Sequence, residues 1–297
     1  MEAIKSMPPP ISYYGGKQRI ASKLIPYIPK HTVYCEPFCG GATILFKKSF
    51  PKVTDMSNYR EVINDTDGDL INFFTKLRDN GKELVDKLYF TLYSEQEHKI
   101  SKDLNIDDDL ERARRYYINI QQSFNNKLNA GWKRGVYSQN IALTWLNKVN
   151  NLHKYIERMR QVYISNADAL KCIKQWDSPQ TFFFIDPPYM NANQGHYSGY
   201  TQEEYENLIE LLKTVKGSFI LTNYVEIEGV DWRKVEIKTY CSASGKGKVG
   251  LNRARKATEK ELGNRKRTEI IYIKQSEEPR PEIKKLYESG KYDCFTG

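Results

Sequence analysis

The chain has 297 residues, with 46 Lys and Arg against 37 Asp and Glu, a formal charge of +9. That length holds one large domain or two modest ones with an ample core, and the basic balance favours a polyanionic partner over an acidic one. No apolar run approaches the roughly 20 residues of a membrane span and no signal-peptide pattern is present, while five scattered cysteines, an odd number, fit a reducing cytoplasm rather than a disulfide framework.

Behind Pro8-Pro9-Pro10 comes Ile11-Ser12-Tyr13-Tyr14-Gly15-Gly16-Lys17. Paired glycines let backbone approach a ligand and an aromatic can cover it, although a plain turn before a helix has the same letters. Ile20, Leu24 and Ile25 mark a short amphipathic helix ending near Pro26 and Pro29. Thr32-Val33-Tyr34-Cys35 reads as a strand, Glu36-Pro37-Phe38-Cys39-Gly40-Gly41-Ala42 as a glycine turn, and residues 43–50 as a helix. Strand, glycine turn and helix open a doubly wound nucleotide-binding sheet, and the missing dinucleotide fingerprint disfavours a nicotinamide cofactor. Cys35 and Cys39 lack the His/Cys cluster of a zinc site, and no metal is expected. A second strand, Val62-Ile63-Asn64, ends at Asp65, placed to bind ribose hydroxyls; Asp67 and Asp69 read as helix-entry residues. Leu70, Ile71, Phe73, Phe74 and Leu77 give that helix its apolar face, with a stop at Gly81.

From 82 to 160 the alternation of strand and helix breaks, and the chain becomes polar and rich in helix formers. Arg112 to Arg115 with Tyr116-Tyr117 reads as a basic helix, leading into a loop over 121–139. That loop holds Gln121, Gln122, Phe124, Asn125, Asn126, Lys127, Trp132, Lys133, Arg134 and Tyr137. Amides, cations and protruding aromatics suit groove reading and base-step wedging. Tyr116, Tyr117 and Trp145 read as core residues of a helical subdomain.

Alternation resumes with the strand Val162-Tyr163-Ile164, then Asp168, which could accept from an adenine amine or cap the next helix. Thr181-Phe182-Phe183-Phe184-Ile185 is a buried parallel strand, ended by Asp186-Pro187-Pro188-Tyr189. In open α/β sheets ligands sit past the carboxyl ends of strands, so a stiff acidic turn with a flat ring is delivered to the reactive edge. It suits a planar heterocycle with an exocyclic amine. The glycine-containing loop 190–200, with His196, reads as a lid, and Thr201 with Glu204 as a capping box. Residues 218–222, 235–239 and 269–273 are further strands. Between the last two, residues 241–267 hold Arg253, Arg255, Lys256, Arg265, Lys266 and Arg267 among nine basic residues against two acidic ones. A basic hairpin at the active edge would meet phosphates. The tail after Gln275 reads as loosely attached.

The order of these motifs, from Tyr13-Tyr14-Gly15-Gly16-Lys17 through Glu36-Pro37-Phe38-Cys39-Gly40-Gly41 and Asp65 to an insertion and Asp186-Pro187-Pro188-Tyr189, closely resembles the Dam-type DNA adenine N6-methyltransferases. The likeness covers nearly the whole chain and is nearest to the shorter phage and mobile-element enzymes. It implies an α/β fold, a seven-stranded Rossmann-like methyltransferase sheet with an inserted, mainly helical target-recognition domain. Residues 1–82 and 161–297 would form the catalytic domain and 83–160 the insertion. It implies S-adenosylmethionine as cofactor, S-adenosylhomocysteine as product, and a cradle of Tyr13, Lys17, Glu36, Phe38, Cys39, Gly40, Gly41 and Asp65, with Asp168 near the cofactor adenine and Asp186 beside the methyl. Asp186 and the Pro187 carbonyl would hold the target amine on the stiff Pro188 turn, with Tyr189 stacking on a flipped adenine. A monomer acting on double-stranded DNA in the cytoplasm is expected, with room for a cognate restriction endonuclease. An RNA adenine methyltransferase and a DNA-binding protein with a dead cofactor fold are the competing readings.

Overall fold

A computed structural model of the protein describes residues 6–13, 15–48, 52–53, 58–135, 140–188, 200–224, 226–240, 266–275 and 292–293. Tyr189, Tyr137, the 190–199 stretch with His196, and Arg253, Arg255, Lys256 and Arg265 lie outside them, as do the side chains of Lys266 and Arg267.

Nine strands are present among the described residues: β1 (Val33–Glu36), β2 (Lys52–Val53), β3 (Arg60–Asn64), β4 (Val162–Ser165), β5 (Thr181–Ile185), β6 (Ser218–Asn223), β7 (Arg233–Tyr240), β8 (Lys266–Lys274) and β9 (Tyr292–Asp293). Seven form one sheet in the order β4-β3-β1-β5-β6-β8-β7. The first five are parallel, and β8 runs antiparallel between β6 and β7. The expected seven-stranded α/β sheet is therefore found. Every residue of β5 is buried, as a strand covered on both faces requires. Phe182 and Phe184 enter one hydrophobic layer and Phe183 and Ile185 the other, the period of two that a pleated strand imposes. From β1 the chain builds outward through β3 and β4, and from β5 outward the other way. The strand order thus reverses between β1 and β5, which opens a crevice at their carboxyl ends.

The helices α1 (Ala21–Leu24), α2 (Thr43–Lys47) and α3 (Gly68–Asp79) precede the insertion, which holds α4 (Gly81–Tyr89), α5 (Glu95–Ile100), α6 (Asp109–Gln122), α7 (Ile141–Asn151) and α8 (His153–Met159). The helices α9 (Ala169–Trp176) and α10 (Gln202–Thr214) follow. Asp67, Ser94, Asp108, Asn140 and Asp168 cap helices with side-chain oxygens, and Thr201 with Glu204 forms the anticipated capping box on α10.

Three expectations need correction. The break after α3 falls at Asn80, and Gly81 opens α4 instead of ending α3; a Cβ there would meet Ile156 Cγ1 at 2.7 Å, so glycine serves the packing of α4 on α8. Gln121 and Gln122 are the buried last turn of α6, not loop residues. The tail returns to pair β9 with β2, so it is attached at that point.

The insertion shares one apolar cluster with the sheet. Tyr117 stacks on Phe73 at 5.3 Å and tilts against Trp145 at 5.8 Å, while Tyr155 meets Phe46 edge-on at 5.4 Å. A buried ionic cluster fastens the same joint. Glu61 on β3 takes Lys48 on one oxygen, and its other oxygen makes a close charge contact with Arg158 Nη1 at 2.5 Å, which is not an aligned hydrogen bond. Tyr59 Oη donates to Glu61 at 3.1 Å, and Arg158 also donates to the Leu45 carbonyl at 3.2 Å. Burial would raise the Glu61 carboxyl, but Lys48 and Arg158 outweigh it and hold it at about 2.

Removing one member of such a cluster leaves buried charge uncompensated. Glu61→Ala should therefore cost about 3–5 kcal/mol in urea denaturation at pH 7. Because the folded-state value lies below the unfolded one, this contribution is present above about pH 4.5 and is lost as pH falls toward about 2. Wild type and variant should accordingly converge in acid.

Candidate active site

The crevice at the strand reversal is lined by Tyr13, Gly15, Gly16 and Lys17, by Glu36 and Phe38 to Gly41, by Asp65, and by Asp186, Pro187 and Pro188. Thr43, Ile44 and Phe184 close it behind. Chain topology explains the convergence, because the turns after β1, β3 and β5 all leave the same sheet edge.

The glycine turn is held open by specific contacts. Gly40 adopts φ +45°, and a Cβ there would lie 3.0 Å from Tyr13 Cδ1, so the Tyr13 ring packs directly on bare backbone. Gly40 N donates to Asp65 Oδ2 at 2.9 Å, and Asp67 N donates to Asp65 Oδ1 at 3.1 Å. Asp65 thus shapes the glycine turn as well as lining the crevice. Asn64, buried at the end of β3, ties three turns together: its Nδ2 donates to the carbonyls of Pro37 at 3.0 Å and Ala167 at 2.9 Å, and its Oδ1 accepts from Ala167 N at 2.9 Å. In the sequence Asn64 is only the last residue of a strand.

Glu36 is buried, with Oε1 accepting from Tyr34 Oη at 2.7 Å and from Leu45 N in α2 at 2.7 Å. Burial raises its carboxyl to about 7, against the lowering effect of those two bonds and of Lys48. Cys39 is buried, its thiol pushed up by burial and by Asp65, which leaves it an uncharged part of the crevice wall.

Lys17 is 6% exposed. Its Nζ lies 2.7 Å from Asp186 Oδ1 and 3.3 Å from Glu269 Oε1. Burial alone would lower the ammonium, but Asp186 and Glu269 prevail and raise it. Thr222 Oγ1, on β6, donates to the same Asp186 oxygen at 2.6 Å. Lys17 therefore stands in the crevice as the partner of the acidic turn. Glu269 and Thr222 were not singled out in the sequence. The signal for Glu269 was an acid inside the apolar run of β8, 3% exposed in the fold. It reaches the site because β8 is antiparallel, so its first residues lie at the carboxyl edge of the parallel strands.

Asp168 is exposed and caps α9 by accepting from Lys171 N at 3.0 Å. It is not among the residues that line the crevice.

In the insertion, residues 123–133 form a hairpin-like loop. Ser123 bridges Trp132, Phe124 N donates to the Gly131 carbonyl at 2.8 Å, and Lys133 N donates to the Gln122 carbonyl at 2.9 Å. Phe124, next to that bridge, is 62% exposed, and Asn125 and Asn126 have φ of +57° and +53°. Trp132 does not protrude; it is half-buried against Tyr93 at 5.4 Å and fastens the loop. Arg134 is exposed near Glu95 at 3.6 Å. Arg112, Arg114 and Arg115 are tied to Asp109, Glu111 and Glu97, so the cations of the basic helix are paired inside the fold.

Residues 13–240, a span that includes every wall of this crevice, match the family described as D12 class N6 adenine-specific DNA methyltransferase. Over 222 residues the chain is 23% identical to the Type II methyltransferase M1.LlaDCHI of Lactococcus lactis subsp. cremoris, covering 66% of this chain and 72% of that protein. Among solved structures it is similar to the rRNA methyltransferase aviRa from Streptomyces viridochromogenes, with TM-score 0.34 and 11% identity over 86% of this chain and 82% of that one. The chain belongs to the D12 class of N6 adenine-specific DNA methyltransferases, and its activity is site-specific DNA adenine methylation.

Glu36 gives a pH-dependent test of the site. Its folded-state value is raised from 4.5 to about 7, so the stability it contributes is complete below about pH 4.5 and is lost as pH climbs through 7. Glu36→Gln preserves an acceptor for Leu45 N and removes the titration. Across that window the wild type should lose on the order of 3 kcal/mol relative to the variant in urea denaturation.

Proposed function

We propose that the crevice binds S-adenosylmethionine and that Asp186 and the Pro187 carbonyl hold the amine of an adenine extruded from double-stranded DNA. The supporting observation is the grouping of Glu36, Asp65 and Asp186 around a glycine turn walled by Tyr13 and Phe38. Such a cleft fits a cationic nucleoside ligand: carboxylates accept from hydroxyls and ammonium groups, and an aromatic covers a flat ring. The tight approach of Tyr13 to Gly40 is a cradle that any larger residue at 40 would fill. Tyr13, Phe38, Cys39, Gly40, Gly41, Glu36 and Asp65 would hold the cofactor. When bound it supplies an activated methyl on sulfur; the protein orients and desolvates.

The adenine amine's lone pair is delocalised into its ring, and in a duplex the amine is stacked out of reach. Extrusion costs a few kcal/mol. Acceptors at Asp186 and Pro187 would draw the two N–H bonds out of the ring plane, turn the lone pair toward the methyl, and stabilise the positive charge developing on nitrogen. Lys17 and Thr222 fix the orientation of the Asp186 carboxylate by two contacts to Oδ1. Tyr189 follows directly in the chain as the stacking ring.

Residues 83–160 are proposed as the target-recognition domain, with Phe124 and Asn125 in the hairpin that meets DNA, and Asn126, Lys127, Lys133 and Arg134 beside them. The basic segment 241–267 joins β7 to β8, whose paired ends at Tyr240 and Lys266 extend past the carboxyl edge that carries the crevice, which supports a role on phosphates. The likeness to a Type II methyltransferase supports a cognate restriction endonuclease, with the enzyme acting as a monomer.

Asp186→Asn should lower transfer of a tritiated methyl to duplex DNA by a factor on the order of 100 or more, with DNA binding retained. Undiminished transfer would sink the assignment, and preferential labelling of folded RNA would redirect it. Neutralising Arg253, Arg255, Lys256, Arg265, Lys266 and Arg267 should flatten the plot of log affinity against log salt by about 0.9 for each phosphate no longer neutralised. An unchanged slope would remove that segment from the interface.

A further inference from the structure

The segment from Pro8 to Lys17 is fastened to the insertion directly at two places and through Asp67 at a third, and to the catalytic turn at its end. Tyr155 Oη, on α8, donates to the Pro8 carbonyl at 2.8 Å. Lys148 Nζ, on α7, donates to Ser12 Oγ at 3.2 Å and to the Gln121 side chain in the last turn of α6. Asp67 Oδ2 accepts from Tyr116 Oη, on α6, at 2.8 Å and from Tyr13 Oη at 3.4 Å. The Tyr13 ring lies on Gly40 in the crevice, and Lys17 ends the segment on Asp186. Helix α6 runs straight into the hairpin that carries Phe124.

We propose that Lys148 and Tyr116 are positioning residues that couple target engagement by the hairpin to the cofactor crevice, acting through the strap of residues 8–17. A displacement of the end of α6 by DNA would bear on Gln121 and hence on Lys148 and Ser12. The same helix carries Tyr116, which shares a carboxylate oxygen with Tyr13. Neither residue lines the crevice or lies in the hairpin. Both are placed to report one site's occupancy to the other, and any such coupling is reciprocal. The geometry also distinguishes them from ordinary core residues. Tyr117, next to Tyr116, stacks on Phe73 and reaches neither Asp67 nor the strap through any polar bond, whereas Tyr116 commits its hydroxyl to the group that caps α3 and steadies Tyr13.

This inference rests on the hairpin being the DNA-reading element. The test is the ratio of dissociation constants for a duplex carrying the mapped methylation site, measured without and with saturating S-adenosylhomocysteine. In the wild type the product should tighten DNA binding by about tenfold, within the usual range of coupling. In Tyr116→Phe and in Lys148→Met that ratio should fall toward one, with affinity for S-adenosylhomocysteine alone and thermal stability near the wild type. Ser12→Ala, at the partly exposed end of the link, should lower the ratio as Lys148→Met does, and the double variant should lower it no further, as expected for one shared contact. A wild-type ratio near one, or unchanged ratios in all three variants, would overturn the proposal. Phe124→Ala separates the two levels. Wild-type DNA affinity in that variant would show that the hairpin is not the reader, whereas reduced affinity with the ratio intact leaves the hairpin in place and isolates the strap as the element under test.

Discussion

The ammonium of Lys17, held between Asp186 and Glu269, is the contact on which the site depends. It joins three pieces of chain that are remote in sequence: the segment after Tyr13, the turn after β5, and the antiparallel β8. Two carboxylates this deeply placed would repel each other without a cation between them, and the ammonium would be destabilised by burial without them. The arrangement therefore explains why the sheet needs an antiparallel strand beside β6. A sixth parallel strand would bring its carboxyl end to this edge, whereas β8 brings its beginning, with Glu269 already inside the pleat.

The insertion is not a module hung on a linker. Phe73 with Tyr117 and Phe46 with Tyr155 place its helices in the same apolar cluster as the sheet, and Glu61 receives Arg158 from its last helix. Rigid attachment of this kind has a functional consequence. Under the proposed function, holding a flipped base against the acidic turn would demand sub-ångström placement, which a freely swivelling reader could not supply. The buried ionic cluster adds orientation more than net stability, since the desolvation of three charges offsets much of their attraction.

Much of the fold was legible because its signals are local. The apolar run of β5 followed by two prolines, the glycine turn after β1, and the Thr201–Glu204 capping box each carry their meaning within a few residues, and all are found where the pattern put them. What escaped was set by pairing across the chain. Asn64 acts through Pro37 and Ala167, Glu269 through Lys17, and Gly81 through Ile156, none of them a neighbour in sequence. Trp132 read as a contact for a partner, and α6 as a basic helix, because aromatic and cationic residues have the same composition whether they face inward or outward. Only burial and pairing distinguish the two.

The state of Glu36 shows how the same physics serves catalysis. A carboxyl raised to about 7 by burial is poised to titrate: a cation entering the crevice would favour its ionised form and release a proton, so that binding there would be coupled to pH. An exposed glutamate, already ionised, would show no such coupling in this pH range. Under the proposed function, a cationic sulfonium ligand and the neutral thioether that remains once the methyl has left would differ by a full charge beside the acids of the crevice. On the proposed reaction, the step that makes the product also weakens its hold, which follows from placing Glu36 and Asp186 in the lining of one narrow cleft.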